Sequence, residues 1–119
     1  MGDRLRADDG AATVFACLAV TALVAATLLI GQVGVVVVTR HRAQAAADLA
    51  ALAAAAALAE GGDAGCAAAA AVVRRMAARM EECEVVEWDA TVIVNRNVPM
   101  GLLGTHMVRA VARAGPVEN

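Results

Sequence analysis

The stretch AATVFACLAVTALVAATLLIGQVGVVVVT, from Ala11 to Thr39, carries no charged side chain over 29 positions. As a helix rising about 1.5 Å per residue it extends roughly 43 Å, against a bilayer hydrocarbon core of about 30 Å. Gln32 is its one strongly polar side chain, near the distal end. Thr13, Thr21 and Thr27 can bond back to helix carbonyls, which makes them cheap in lipid. The run Val33–Val38 would suit a strand in water, but in lipid the backbone must satisfy itself, and that makes it helix. A cleaved secretory signal has an apolar stretch of about 7–15 residues, so this one is too long. A buried helix of a soluble protein would need a larger remainder of chain to wrap it. The stretch therefore reads as a retained single-pass membrane anchor.

The rest of the 119 residues supports one small domain. The chain is 61% hydrophobic, yet it holds one Trp, one Phe and no Tyr, so its core is built on alanine and valine. A net charge of -2 offers no basic footprint for direct nucleic-acid binding. From Val35 to Ala59 no Pro occurs and no Gly after Gly34, so the membrane helix is expected to continue into solvent. Ala45, Leu49, Leu52 and Ala56 fall on one face. That stripe either packs on the chain's own C-terminal domain or forms a seam between subunits.

Gly61, Gly62 and Gly65 end this helix. A second, short helix is expected from about Ala67 into the Arg74–Arg79 region. Val72, Val73, Met76 and Met80 would be its buried side, with Arg74, Arg75 and Arg79 facing solvent. Beyond Cys83 the pattern turns to alternation: Val86, Trp88, Ala90, Val92 and Val94 form one face of a half-buried strand. Asn95-Arg96-Asn97 begins a turn, and Pro99, Gly101 and Gly104 keep the connection irregular. A second strand is expected over His106–Ala114, with Val108, Ala110 and Ala112 inward and Arg109 and Arg113 outward. The fold class is α+β: a long N-terminal transmembrane helix, a second short helix and a small antiparallel β-hairpin.

No catalytic constellation is visible. The chain has no Ser for a hydrolase triad, no glycine-rich phosphate loop and no paired carboxylates with a base. His41 sits between two arginines at the membrane edge, and His106 starts a strand. Glu81, Glu82, Glu84 and Glu87 flank Cys83 as solvated carboxylates. The short ligand spacings of structural zinc sites are absent. No enzyme activity, metal or cofactor is expected.

Cys17 lies inside the apolar stretch. Cys66 and Cys83 stand alone in the soluble part, which suits one disulfide in an oxidising compartment. An unbroken helix from Cys66 to Met80 would hold the two Cα atoms roughly 20 Å apart, whereas a disulfide needs about 4.4–6.8 Å. The pairing therefore requires the second helix to stop near Met76 and the chain to fold back, although no local signal marks that stop. Arg4 and Arg6 precede the membrane segment and Arg40 and Arg42 follow it, so the positive-inside count is a tie. The disulfide breaks the tie: residues 1–10 form a cytoplasmic tail, 11–39 the span in the plasma membrane, and 40–119 a small extracytoplasmic α+β domain.

The run Asp9-Gly10-Ala11-Ala12-Thr13-Val14 leads into the apolar stretch, which passes into Arg40-His41-Arg42-Ala43-Gln44-Ala45-Ala46-Ala47-Asp48-Leu49. With Cys66, Cys83, the alternating strand and Ala112-Arg113-Ala114-Gly115-Pro116, the chain resembles the actinobacterial TadE-like proteins. That resemblance implies a pseudopilin or minor-pilin role in a tight-adherence (Flp-type) pilus or related secretion apparatus. Its partners would be membrane lipid and other pilin-like or assembly subunits, as a homo- or hetero-oligomer. It also implies prepilin-type cleavage between Gly10 and Ala11. In that pattern the fifth residue of the mature chain is Glu, whereas here it is Phe15. The departure favours the other reading, a non-polymerising anchor, scaffold or regulator of a secretion or DNA-translocation system. Small residues at Ala12/Ala16 and Ala22/Ala26 permit close helix approach in the bilayer, and Leu49 and Leu52 extend the candidate packing surface beyond it.

Overall fold

A computed structural model describes residues 2–99 and 104–117, with side chains from Asp8 onward. Helix α1 covers Gly2–Ala57 and is followed by a 3₁₀ turn, Leu58–Glu60, and helix α2, Gly62–Arg75. Three strands follow: β1, Arg79–Val86; β2, Asp89–Pro99; and β3, Thr105–Ala114. The chain divides into two units, Met1–Gly34 and Val35–Asn119.

In the first unit every side chain from Asp8 to Gly31 is exposed, including Phe15, Leu18, Leu23, Leu29 and Ile30. Such a surface has no stable place in water, and the helix is long and apolar enough to cross a membrane. The threonines behave as lipid demands: the hydroxyls of Thr13, Thr21 and Thr27 donate to the carbonyls of Asp9, Cys17 and Leu23 at 2.8–2.9 Å. The apolar helix fits a single-pass membrane anchor.

In the second unit the strands form an antiparallel sheet in the order β1-β2-β3. Ala90, Val92, Val94 and Val98 of β2 are fully buried, beside Val108, Ala110 and Ala112 of β3. They meet a face of α1 made entirely of alanine: Ala43, Ala46, Ala47, Ala50, Ala51 and Ala54. Spacings of three and four keep these six on one helical face, and their small side chains let helix and sheet approach closely. Val73 of α2 completes the core, with Val72, Met76, Met80 and Cys83 packed against it.

The sheet has a third strand where a hairpin was expected. The alternating run does not form one strand through Trp88. β1 ends at Val86, and Glu87-Trp88 make a two-residue turn, with Val86 paired to Asp89. Glu87 takes a φ of 55° to make it, a conformation usually left to Gly or Asn, which is why the turn left no signal. Val86 and Trp88 are therefore exposed, not inward. The Asn95-Arg96-Asn97 turn is likewise corrected. β2 runs on to Pro99, held by pairing with β3 from Ala90↔Ala114 to Pro99↔Thr105, and Val98 returns to the buried face. Gly101 lies outside the described residues. β3 begins one residue before its expected start, at Thr105, and matches its expected end and facing.

Helix α2 begins at Gly62, earlier than expected. Gly61, at φ 116°, makes the break, and Gly65 lies inside α2. A Cβ at Gly65 would sit 3.0 Å from the Ala54 carbonyl oxygen and 3.2 Å from Leu58 Cδ2, so glycine is needed there for the two helices to meet. The helix stops at Arg75, as the disulfide requires. The Ala78 amide donates to the Val73 carbonyl and the Ala77 amide to that of Arg74, both at 3.1 Å, with Ala77 at φ 54°. This is a Schellman stop with alanine where glycine is usual. Left-handed backbone costs a residue with a Cβ about 1–2 kcal/mol, partly offset by glycine's looser unfolded chain. Ala77→Gly should therefore stabilise the unit by up to about 1 kcal/mol, read as a higher thermal midpoint in detergent.

Candidate assembly surface

Cys66, in the first turns of α2, and Cys83, inside β1, are joined by a disulfide with their Cα atoms 5.9 Å apart. The fold-back after Met76 lays β1 beside α2 and brings the two sulfurs together. Neither thiol remains for metal ligation. Among the described residues no three His, Cys, Asp or Glu side chains gather into a metal-holding group. Cys17 is a free thiol on the apolar helix.

The surfaces left uncovered are the chain's candidate working parts. On the first unit, Ala12 and Ala16 line a shallow groove with Thr13, Cys17, Val20 and Thr21. Ala22 and Ala26 are exposed on the same helix. On the second unit, Leu49 and Leu52 are 50% and 60% exposed. The stripe formed by Ala45, Leu49, Leu52 and Ala56 does not pack on the chain's own domain. The alanine face takes that place, and the leucines are left outward. Gln44, between the two faces, donates through Nε2 to the Val111 carbonyl at 3.2 Å and to Asp48 Oδ1 at 2.9 Å. The first of these bonds satisfies a carbonyl on the outer strand β3.

Beside Leu52 and Ala55 lies a hollow completed by Trp88, Arg113, Ala114, Gly115 and Pro116. Trp88 is 62% exposed at its rim. Sequence reasoning missed it as a surface residue because the alternation placed it inward. Arg113 is hydrogen-bonded and ion-paired to Asp89, and this raises its pKa further above the usual arginine value, so the charge is fixed. Arg109 pairs with Glu81 at 3.4 Å across the outer face of the sheet. His41 and His106 are both exposed. Among the described residues the arrangement offers contact surfaces.

Residues 10–57 match the model of a family described as putative Flp pilus-assembly TadE/G-like. The match takes in the apolar helix, the alanine face and the outward leucines, and it leaves out α2 and the sheet. The TadE/G-like segment suggests a pilus-assembly component, a structural class and not an enzyme class. No curated protein and no solved structure matches the chain.

Proposed function

We propose that the chain is a TadE-like pseudopilin or minor pilin, a structural subunit of a tight-adherence (Flp-type) pilus or related secretion apparatus. The observation that carries this reading is the matched segment itself. It joins an apolar helix, exposed among the described residues, to a run that buries alanine inward and leaves Leu49 and Leu52 outward. Ala12/Ala16 and Ala22/Ala26 would pack against neighbouring helices in the bilayer, and the leucines against neighbouring subunits outside it. The second reading, a non-polymerising anchor or scaffold, draws its support from Phe15. Without a Glu at that position, Gly10–Ala11 is expected to stay uncut. Chemical cross-linking in native membranes, with intact-mass analysis of the extracted chain, tests both points. Cross-linked species containing other pilus-assembly subunits are expected, and Leu49→Ala/Leu52→Ala should deplete them. Monomer alone would favour the scaffold. A dominant mass beginning at Ala11 would show that Gly10 suffices for processing.

The disulfide supports an N-in, C-out orientation, because such bonds persist in oxidising compartments. Residues 1–10 would then be cytoplasmic, 11–39 the span and 40–119 extracytoplasmic. A reporter active only outside the cytoplasm, fused after Asn119, is expected to be active. Silence at normal expression would reverse the orientation.

A further inference from the structure

The C-terminal unit has a basic hollow, and its level along α1 can be read from contacts within that unit. The Gln44–Val111 bond sets β3 against α1. Leu52 and Ala55 share a hollow with Ala114, Gly115 and Pro116, so helix and strand run in the same direction. Going back from Val111 to Val108, the partner of Arg96, covers about 10 Å of strand. The same distance on α1 is about seven residues and reaches Val37. Val36 accordingly packs against the core shared by α1, α2 and the sheet. Arg96 and its neighbours thus lie level with Val37–Arg42, where the uncharged stretch gives way to Arg40, His41 and Arg42.

At that level Arg79, Asn95, Arg96 and Asn97 line a polar hollow with Ala77. Arg79 is the register partner of Asn95, so the two arginines come from adjacent strands. Arg74 and Arg75, exposed in the last turn of α2, flank it two and three residues before Ala77. The acidic residues nearest in sequence are Glu81, which is engaged by Arg109, and Glu82. Among the described residues neither Arg79 nor Arg96 forms a salt bridge. The ordinary role for Arg74 and Arg75 is to complement the negative end of α2. Arg79 and Arg96 have no helix end to serve.

We propose that this level of the domain lies at the membrane surface and that Arg79 and Arg96 bind the phosphate of anionic phospholipid headgroups. The inference rests on the membrane-anchor reading but not on the pilus reading or on which leaflet is faced. Guanidinium groups grip phosphate oxygens through paired N–H donors, and asparagine amides can add further donors. On the anchor reading, the hollow is level with the end of the uncharged stretch, where headgroups are at hand. The contact would fix the domain's tilt on the bilayer and so the direction in which Leu49 and Leu52 are presented.

The test uses the full chain in lipid nanodiscs, with unfolding of the C-terminal unit followed by its single tryptophan, Trp88. Co-elution with the discs reports the anchor separately from the headgroup contact. Discs containing phosphatidylglycerol should raise the thermal midpoint over phosphatidylcholine discs by on the order of 5–10 °C at low salt. Arg79→Gln/Arg96→Gln should remove at least half of that shift while matching the wild type in phosphatidylcholine, which shows that the variant folds. High salt should do the same to the wild type. Equal midpoints in the two lipids, or a full shift in the double variant, would overturn the proposal. So would an equal shift from inorganic phosphate added to phosphatidylcholine discs, because the hollow would then be a free-anion site.

Discussion

Replacing Cys66 or Cys83 with alanine is expected to destabilise the C-terminal unit by about 2–5 kcal/mol, the usual loss for a small exported domain. The bond spans 17 residues of sequence and ties the first turns of α2 to the middle of β1. These are the elements with least else to hold them. Among the described residues four side chains larger than alanine are fully buried, Val73, Val92, Val94 and Val98, and only the first belongs to α2. β1 contributes no fully buried residue, since Met80, Cys83 and Val85 are half-buried. Without the bond, α2 and β1 should loosen before β2 and β3, and proteolysis should begin between Arg74 and Glu84. Cys17→Ala should leave stability unchanged, because that thiol touches none of the core. Melting in detergent with and without reductant measures the loss. Labelling of the denatured, non-reduced chain should modify Cys17 alone, and modification of all three cysteines would refute the bond.

Much of this was legible in the residues, and the failures have physical causes. The uncharged stretch needed only its length, and β3 only its alternation, because both patterns repeat over ten or more positions. The stop of α2 was legible only through the cysteines. Its Schellman turn is made by Ala77, a residue that otherwise argues for continuing the helix. The Glu87-Trp88 turn was hidden in the same way, by a glutamate doing what glycine usually does. The sequence left open what the leucine stripe on α1 packs against and did not point to the alanine face, because leucine outranks alanine in any hydrophobicity count. Here close approach to the sheet selects the smaller side chain, so the less hydrophobic face is the buried one. Trp88 was misplaced by following alternation across a turn that had no marker.

Ala47→Leu and Ala50→Leu should each cost about 1–3 kcal/mol, because the added atoms have no space between α1 and the sheet. Both alanines are completely buried, in the core cluster that also holds Val92, Val94 and Ala110. Nothing in a fully buried alanine face can yield without moving the helix, and the Gln44 bond to Val111 would break as the helix backs away. Leu49→Ala and Leu52→Ala are the informative contrast. They remove the same apolar volume that the enlargements add, from the same turns of the same helix, yet they should shift the melting midpoint little, because both side chains are already half or more exposed. Enlarging a small residue should unfold the domain, while truncating a large one should spare it and weaken only subunit contacts. Melts of the four variants, set beside cross-linking yield in membranes, separate the two faces. If the leucine truncations melt early and the alanine enlargements do not, the inward and outward faces of α1 have been assigned the wrong way round.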